Sequence, residues 1–193
     1  MSAHTPLSQE KKKKLKTLGG LAGAYLLPEF VGFCFLELGP AIFDGAGMTL
    51  WPMAFGLVWA ICWTALLTLL PRRAGRIVFG VSYYILTIYA LVETGYYLLF
   101  GEMLWLSDFR YASEGSDYLG VLLEYPWIWW LGAAGMILLG VLVLRKFPEF
   151  SRKKREKSIA SGALAAGILT LFVLPYAVFL GDRHIRFSGS DFG

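Results

Sequence analysis

Apolar residues in this chain are gathered into long blocks, separated by short charged or glycine-rich stretches. Five blocks stand out, at 18–38, 52–70, 77–100, 127–144 and 158–180. Each approaches or exceeds the roughly 20 residues that an α-helix needs to cross a bilayer core. Runs such as "LGAAGMILLGVLVL" do not alternate, as the roughly ten-residue strands of a membrane β-barrel do. A helix also satisfies its own backbone groups, which lipid cannot. The pattern predicts an all-α, polytopic integral membrane protein with five transmembrane helices. A basic tail at 1–17 precedes the five-helix domain at 18–180, which includes a polar segment at 101–126, and a tail at 181–193 follows.

Composition supports that class. Of 193 residues, 56% are hydrophobic and only 17% charged, against about a quarter charged in soluble domains. The charges that remain are sorted by side. Lys11–Lys14 and Lys16 precede the first block, Arg72, Arg73 and Arg76 follow the second, and seven basic residues lie between 145 and 157. Fifteen of eighteen basic residues therefore share one side, leaving Arg110, Arg183 and Arg186 on the other. The positive-inside rule then puts the N-terminus in the cytoplasm and the C-terminus outside a plasma membrane. These clusters set topology or attract anionic headgroups. The net charge of +4 flanks membrane segments, which argues against a nucleic-acid partner.

The first block exceeds a signal peptide's apolar core, and no convincing cleavage pattern follows it, so it reads as an uncleaved anchor. Cys34 and Cys62 fall inside predicted helices, where thiols act as small apolar residues. Gly19–Gly23 and Ala163–Gly167 have the small-xxx-small spacing that permits close helix contact. No HExxH, GxSxG or phosphate-loop pattern occurs, and Asp182 and His184 lack a visible nucleophile. No catalytic residue and no metal ligand is assigned.

Ionisable residues inside the apolar blocks are the strongest candidates for function, because a charge in the bilayer costs several kcal/mol and faces protein or a wet cavity. Glu29 follows Pro28, whose ring frees a backbone carbonyl one turn earlier. Tyr89, Glu93, Tyr96 and Tyr97 have helical spacing that groups a carboxylate with phenols. Such a face either fastens helices together or holds a lipid headgroup or an ion. Glu37 lies closer to the outer interface. The segment at 101–126 carries five acidic residues and Arg110 between greasy flanks. It predicts short outer-surface helices with Trp105, Asp108, Phe109, Tyr111 and Tyr118 as a platform on the bilayer. Arg110 pairs with Asp108 or Glu114, or meets a lipid phosphate.

Five helices with the N-terminus inside, a third ending in "ETGYYLLFGEMLWLSDFRYASEGSDYLGVLLEYPW", and a basic loop before the fifth resemble the lipoteichoic acid synthase family, sulfatase-type phosphoglycerol transferases. Phosphoethanolamine transferases share the plan. The resemblance implies the membrane part of an enzyme that moves glycerol phosphate from phosphatidylglycerol onto an extracellular polymer, in a bacterial plasma membrane. It also implies that the threonine nucleophile and manganese belong to an extracellular domain beyond these 193 residues. No residue here matches them, so none is carried over, and this chain alone is expected not to catalyse the transfer. Membrane lipids and that domain, or a partner protein, are the expected partners. The alternatives are a small transporter or lipid-handling protein centred on Glu29 and Glu93, or a non-catalytic assembly subunit.

Overall fold

A computed structural model describes residues 6–43, 50–102, 104, 120, 124–150 and 154–186. Helix α1 spans Pro6–Phe33 and continues through a π-helical segment, Cys34–Leu38, into the short α2, Gly39–Phe43. Then come α3 (Trp51–Leu69), α4 (Arg72–Phe100), α5 (Trp127–Arg145) and α6 (Lys154–Arg186). Among the described residues there is no strand. Four stretches, Leu15–Ile42, Trp51–Leu69, Arg72–Phe100 and Trp127–Arg145, are long and apolar enough to cross a membrane, and α6 adds the shorter apolar run Lys157–Val173. The fold is that of an all-α polytopic membrane protein.

Helix ends sit at recognisable breakers. Pro71 stands in an extended conformation immediately before α4, where its missing N–H costs nothing. Gly101, at φ 70°, ends α4 and donates its N–H to the Tyr97 carbonyl. That left-handed geometry favours a residue without Cβ. Pro126 precedes α5. Two boundaries differ most from the sequence reading. Helix α1 begins at Pro6, because lysine favours helices and proline is suited to a first turn. Helix α6 takes in residues 181–186 of the expected tail. The platform expected at 101–126 lies almost wholly outside the described residues.

The helices are organised around α1, which packs against α3, α4 and α5, while α4 packs on α5 and α6 on α3. Tyr25 occupies the centre, 2% exposed. Its ring stacks on Trp63 at 5.8 Å and meets Phe79 edge-on at 5.4 Å. Such aromatic pairs contribute about 0.5–1.5 kcal/mol beyond burial. Phe147, just beyond α5, packs near Gly75 and 6.0 Å from Phe79. It thus ties the α5–α6 connection to the α3–α4 turn, and brings Arg72, Arg73, Arg76, Arg145 and Lys146 to one end of the bundle.

Many large apolar side chains lie on the outer surface. Ile77, Val81, Ile85, Ile88 and Val92 are exposed on one stripe of α4, a pattern suited to lipid. Of the two small-residue motifs, Gly167 is closely approached by Cys62, whereas nothing lies near Gly19 or Gly23. Gly140 supports the tightest contact of α5 with α4: a Cβ there would lie 2.5 Å from Tyr83 Cε1. We expect Gly140→Ala to destabilise the protein by about 1–3 kcal/mol. Gly135→Ala, facing open space, should be neutral or slightly stabilising. Unfolding of both variants in detergent, followed by circular dichroism, checks this; equal stability would contradict the contact.

Candidate functional site

Polar side chains in the bundle are few, and the packing brings several together. Glu29, one residue beyond the fully buried Pro28, lays its side chain across bare α3 backbone. A Cβ at Gly56 would stand 2.9 Å from Glu29 Cγ and 3.1 Å from its Cβ. A larger residue at 56 would push the carboxylate away. From α4, Glu93 interacts electrostatically with the Tyr89 hydroxyl one turn earlier. Glu29 lies within electrostatic range of both Glu93 and Tyr89. Three candidates picked out by sequence, Glu29, Tyr89 and Glu93, therefore converge where α1, α3 and α4 meet.

The remaining candidates divide. Tyr96 stacks at a tilt on Phe100, with ring centroids 4.6 Å apart. Tyr97 caps Gly101 through its carbonyl. Arg110, Trp105, Asp108, Phe109, Tyr111 and Tyr118 lie outside the described residues. Among the described residues, no group of three or more His, Cys, Asp and Glu is placed to hold a metal ion.

Chemically, the centre offers two carboxylates and a phenol at low dielectric. Carboxylates sharing such a site repel one another when both are ionised. The arrangement therefore suits a proton, a cation or a basic headgroup between them. Tyr89 is half-exposed at 50%, so one side of the centre opens toward the surface of the bundle.

A second set of polar contacts holds α4 in place, and sequence reading did not single it out. Tyr25 Oη and Ser82 Oγ are 2.8 Å apart, joining α1 to α4. Tyr83 donates to the Met136 carbonyl at 2.7 Å. Trp129 Nε1 donates to Thr94 Oγ1 at 2.9 Å, and Thr94 in turn donates to the Ala90 carbonyl at 2.7 Å. Tyr125 donates to the Gly95 carbonyl at 2.5 Å. Serine and threonine within an apolar span were the available signal, since such hydroxyls commonly bridge membrane helices.

No family model matches this chain, and no curated protein or solved structure shows significant similarity to it. Geometry alone therefore describes the site.

If Glu29 and Glu93 form one electrostatic unit, their neutralisation is not additive. Unfolding free energies of Glu29→Gln, Glu93→Gln and the double variant should leave a coupling of about 0.5–3 kcal/mol; simple additivity would separate the two groups. Just before α5, burial pushes the Tyr125 phenol above its ordinary value of 10.0. Its stabilising effect is complete below that unfolded value and is lost as pH rises through the folded one, because the unfolded chain releases the proton first. Tyr125→Phe should flatten this alkaline loss and cost about 1 kcal/mol at neutral pH. An unchanged profile between pH 9 and pH 11 would contradict the assignment.

Proposed function

We propose that this chain is the membrane-embedded region of a lipoteichoic acid synthase-like phosphoglycerol transferase. It anchors an extracytoplasmic catalytic domain beside its lipid substrate, phosphatidylglycerol, in a bacterial plasma membrane. The observation that best supports this reading is the arrangement of the connections. Gly101 closes α4, and Tyr125 packs on Gly95 ahead of α5. Segment 101–126 thus leaves the bundle from the end opposite the basic residues, where an outer-surface platform belongs.

In this reading the chain contributes position rather than bond-making chemistry. The threonine nucleophile and manganese belong to the extracytoplasmic domain, and no step of transfer is assigned to a residue of this chain. Arg110 offers a planar set of donors to a lipid phosphate. Within α4, Glu93 lies about two helical turns before the helix end at Gly101.

The convergence of Glu29 and Glu93 favours a second reading, a lipid-handling or transport protein whose cation or headgroup passes through the acidic centre. Neutralising both residues would abolish that function while leaving insertion intact.

The test takes native membranes from the source cells, an antibody to residues 1–16, and labelled phosphatidylglycerol. The transferase reading predicts a product much larger than the 21.5 kDa of this chain, with turnover of the lipid to diacylglycerol that requires manganese. A 21.5 kDa product and no turnover would contradict it.

A further inference from the structure

The basic end of the bundle carries a second feature, independent of the acidic centre and of the transferase reading. Helix α6 packs on α3, and a groove of about 380 Å³ opens between α1, α3 and α6. Leu18, Ala22, Ile61, Ala65, Ile159 and Ala163 are among the residues that make its walls apolar. A neighbouring pocket of about 330 Å³ is lined by Arg72, Lys157 and Glu149 together with the ends of α3 and α4. Thr68 and Phe150 line both. The two spaces therefore meet, with a greasy slot leading into a charged mouth.

Thr64 supplies an independent pointer. It lines the groove, is only 8% exposed, and its hydroxyl has no hydrogen-bond partner among the described residues. An unpaired buried hydroxyl costs about 1–3 kcal/mol. Its neighbour Thr68, one turn closer to the mouth, donates to the Ala65 carbonyl at 2.7 Å, so of the two groove threonines it is Thr64 that needs an acceptor.

We propose that groove and mouth together form a binding site for one anionic glycerophospholipid from the leaflet at the basic end. An acyl chain lies in the slot, an ester carbonyl accepts from Thr64, and the phosphate sits at Arg72 and Lys157. Each element of the ligand answers one observation. The apolar walls select a chain that already surrounds the protein. Among the described residues the mouth has Arg72 and Lys157 against the carboxylate of Glu149, which favours a headgroup with net negative charge. Thr64 lies one helical turn, about 6 Å, deeper than Thr68, a depth that suits an ester below a phosphate at the mouth. A soluble phosphate would leave the slot and Thr64 unexplained.

Native mass spectrometry of the purified full chain, exposed in turn to dioleoyl phosphatidylserine and dioleoyl phosphatidylcholine, tests the site. Phosphatidylserine is not a glycerol-phosphate donor, so its retention is separate from any substrate role. The wild type should retain phosphatidylserine preferentially, and millimolar glycerol 3-phosphate should not displace it. Each basic residue near a membrane surface is worth about a fivefold change in binding. Arg72→Gln with Lys157→Gln should therefore weaken phosphatidylserine roughly 25-fold and phosphatidylcholine, whose choline offsets its phosphate, much less. Thr64→Val should weaken both lipids a few-fold, and Ala163→Phe, which fills the slot, should release both.

Equal retention of the two lipids by the wild type, or no effect of the charge variants, would overturn the proposal. So would displacement by glycerol 3-phosphate, which would mark a phosphate pocket. A dimer lost in Ala163→Phe would also overturn it, by showing that a second copy fills the groove. Arg72 and Lys157 are exposed, so their variants should keep the wild-type helicity that circular dichroism reads.

Discussion

Everything in this bundle depends on how α1 brings polar groups into an apolar interior. Between helices in lipid there is no hydrophobic drive to associate, so close packing and hydrogen bonds must hold them. Helix α1 supplies both. Tyr25 meets Trp63 of α3 and Phe79 of α4 with its ring and Ser82 with its hydroxyl. One turn on, Glu29 lies across Gly56. A helix that carried only leucines on this face would have no reason to prefer the inside of the bundle to the lipid around it.

The same logic orders the other interfaces. Helix α5 is pinned to α4 at both levels, by Tyr83 on Met136 and by Trp129 and Tyr125 on Thr94 and Gly95. Several glycines lie opposite a bulkier neighbour, as with Gly140 under Tyr83 and Gly167 against Cys62. Two of the polar ties of α4, at Thr94 and Gly95, immediately follow Glu93 in the chain. Among the described residues, the substantial contacts of helix α6 are with α3, and a groove opens between α1, α3 and α6.

Much of this was legible in the sequence. The five apolar blocks correspond to α1 and α3–α6 because lipid leaves the backbone no alternative to helix. Glu29, Tyr89 and Glu93 were recognisable because acids are costly in such blocks. Their convergence could not be read, since it depends on which helices pack together. Periodicity reports a face but not its partner, and α1, first in the chain, turns out to be its centre. Ser82, Thr94 and Trp129 escaped notice because they resemble ordinary members of an apolar span until a partner is placed beside them. Gly19–Gly23 shows the opposite failure: the spacing is right, yet a Cβ at either position would meet nothing within 4 Å, and Gly19 borders the groove instead.

The central claim, that α1 lies at the hub with Glu29 turned onto α3, is tested most directly by a disulfide. Glu29→Cys and Gly56→Cys, combined in a background with Cys34→Ala and Cys62→Ala, place two Cβ positions 3.1 Å apart. Disulfides need about 3.5–4.5 Å, so a shift of a few tenths of an ångström suffices. Mild oxidation in membranes should close this bridge rapidly. Phe30→Cys with Gly56→Cys, where residue 30 is half-exposed on another face, should remain open. A bridge in the second pair and none in the first would contradict the placement of α1, and with it the acidic centre built on Glu29.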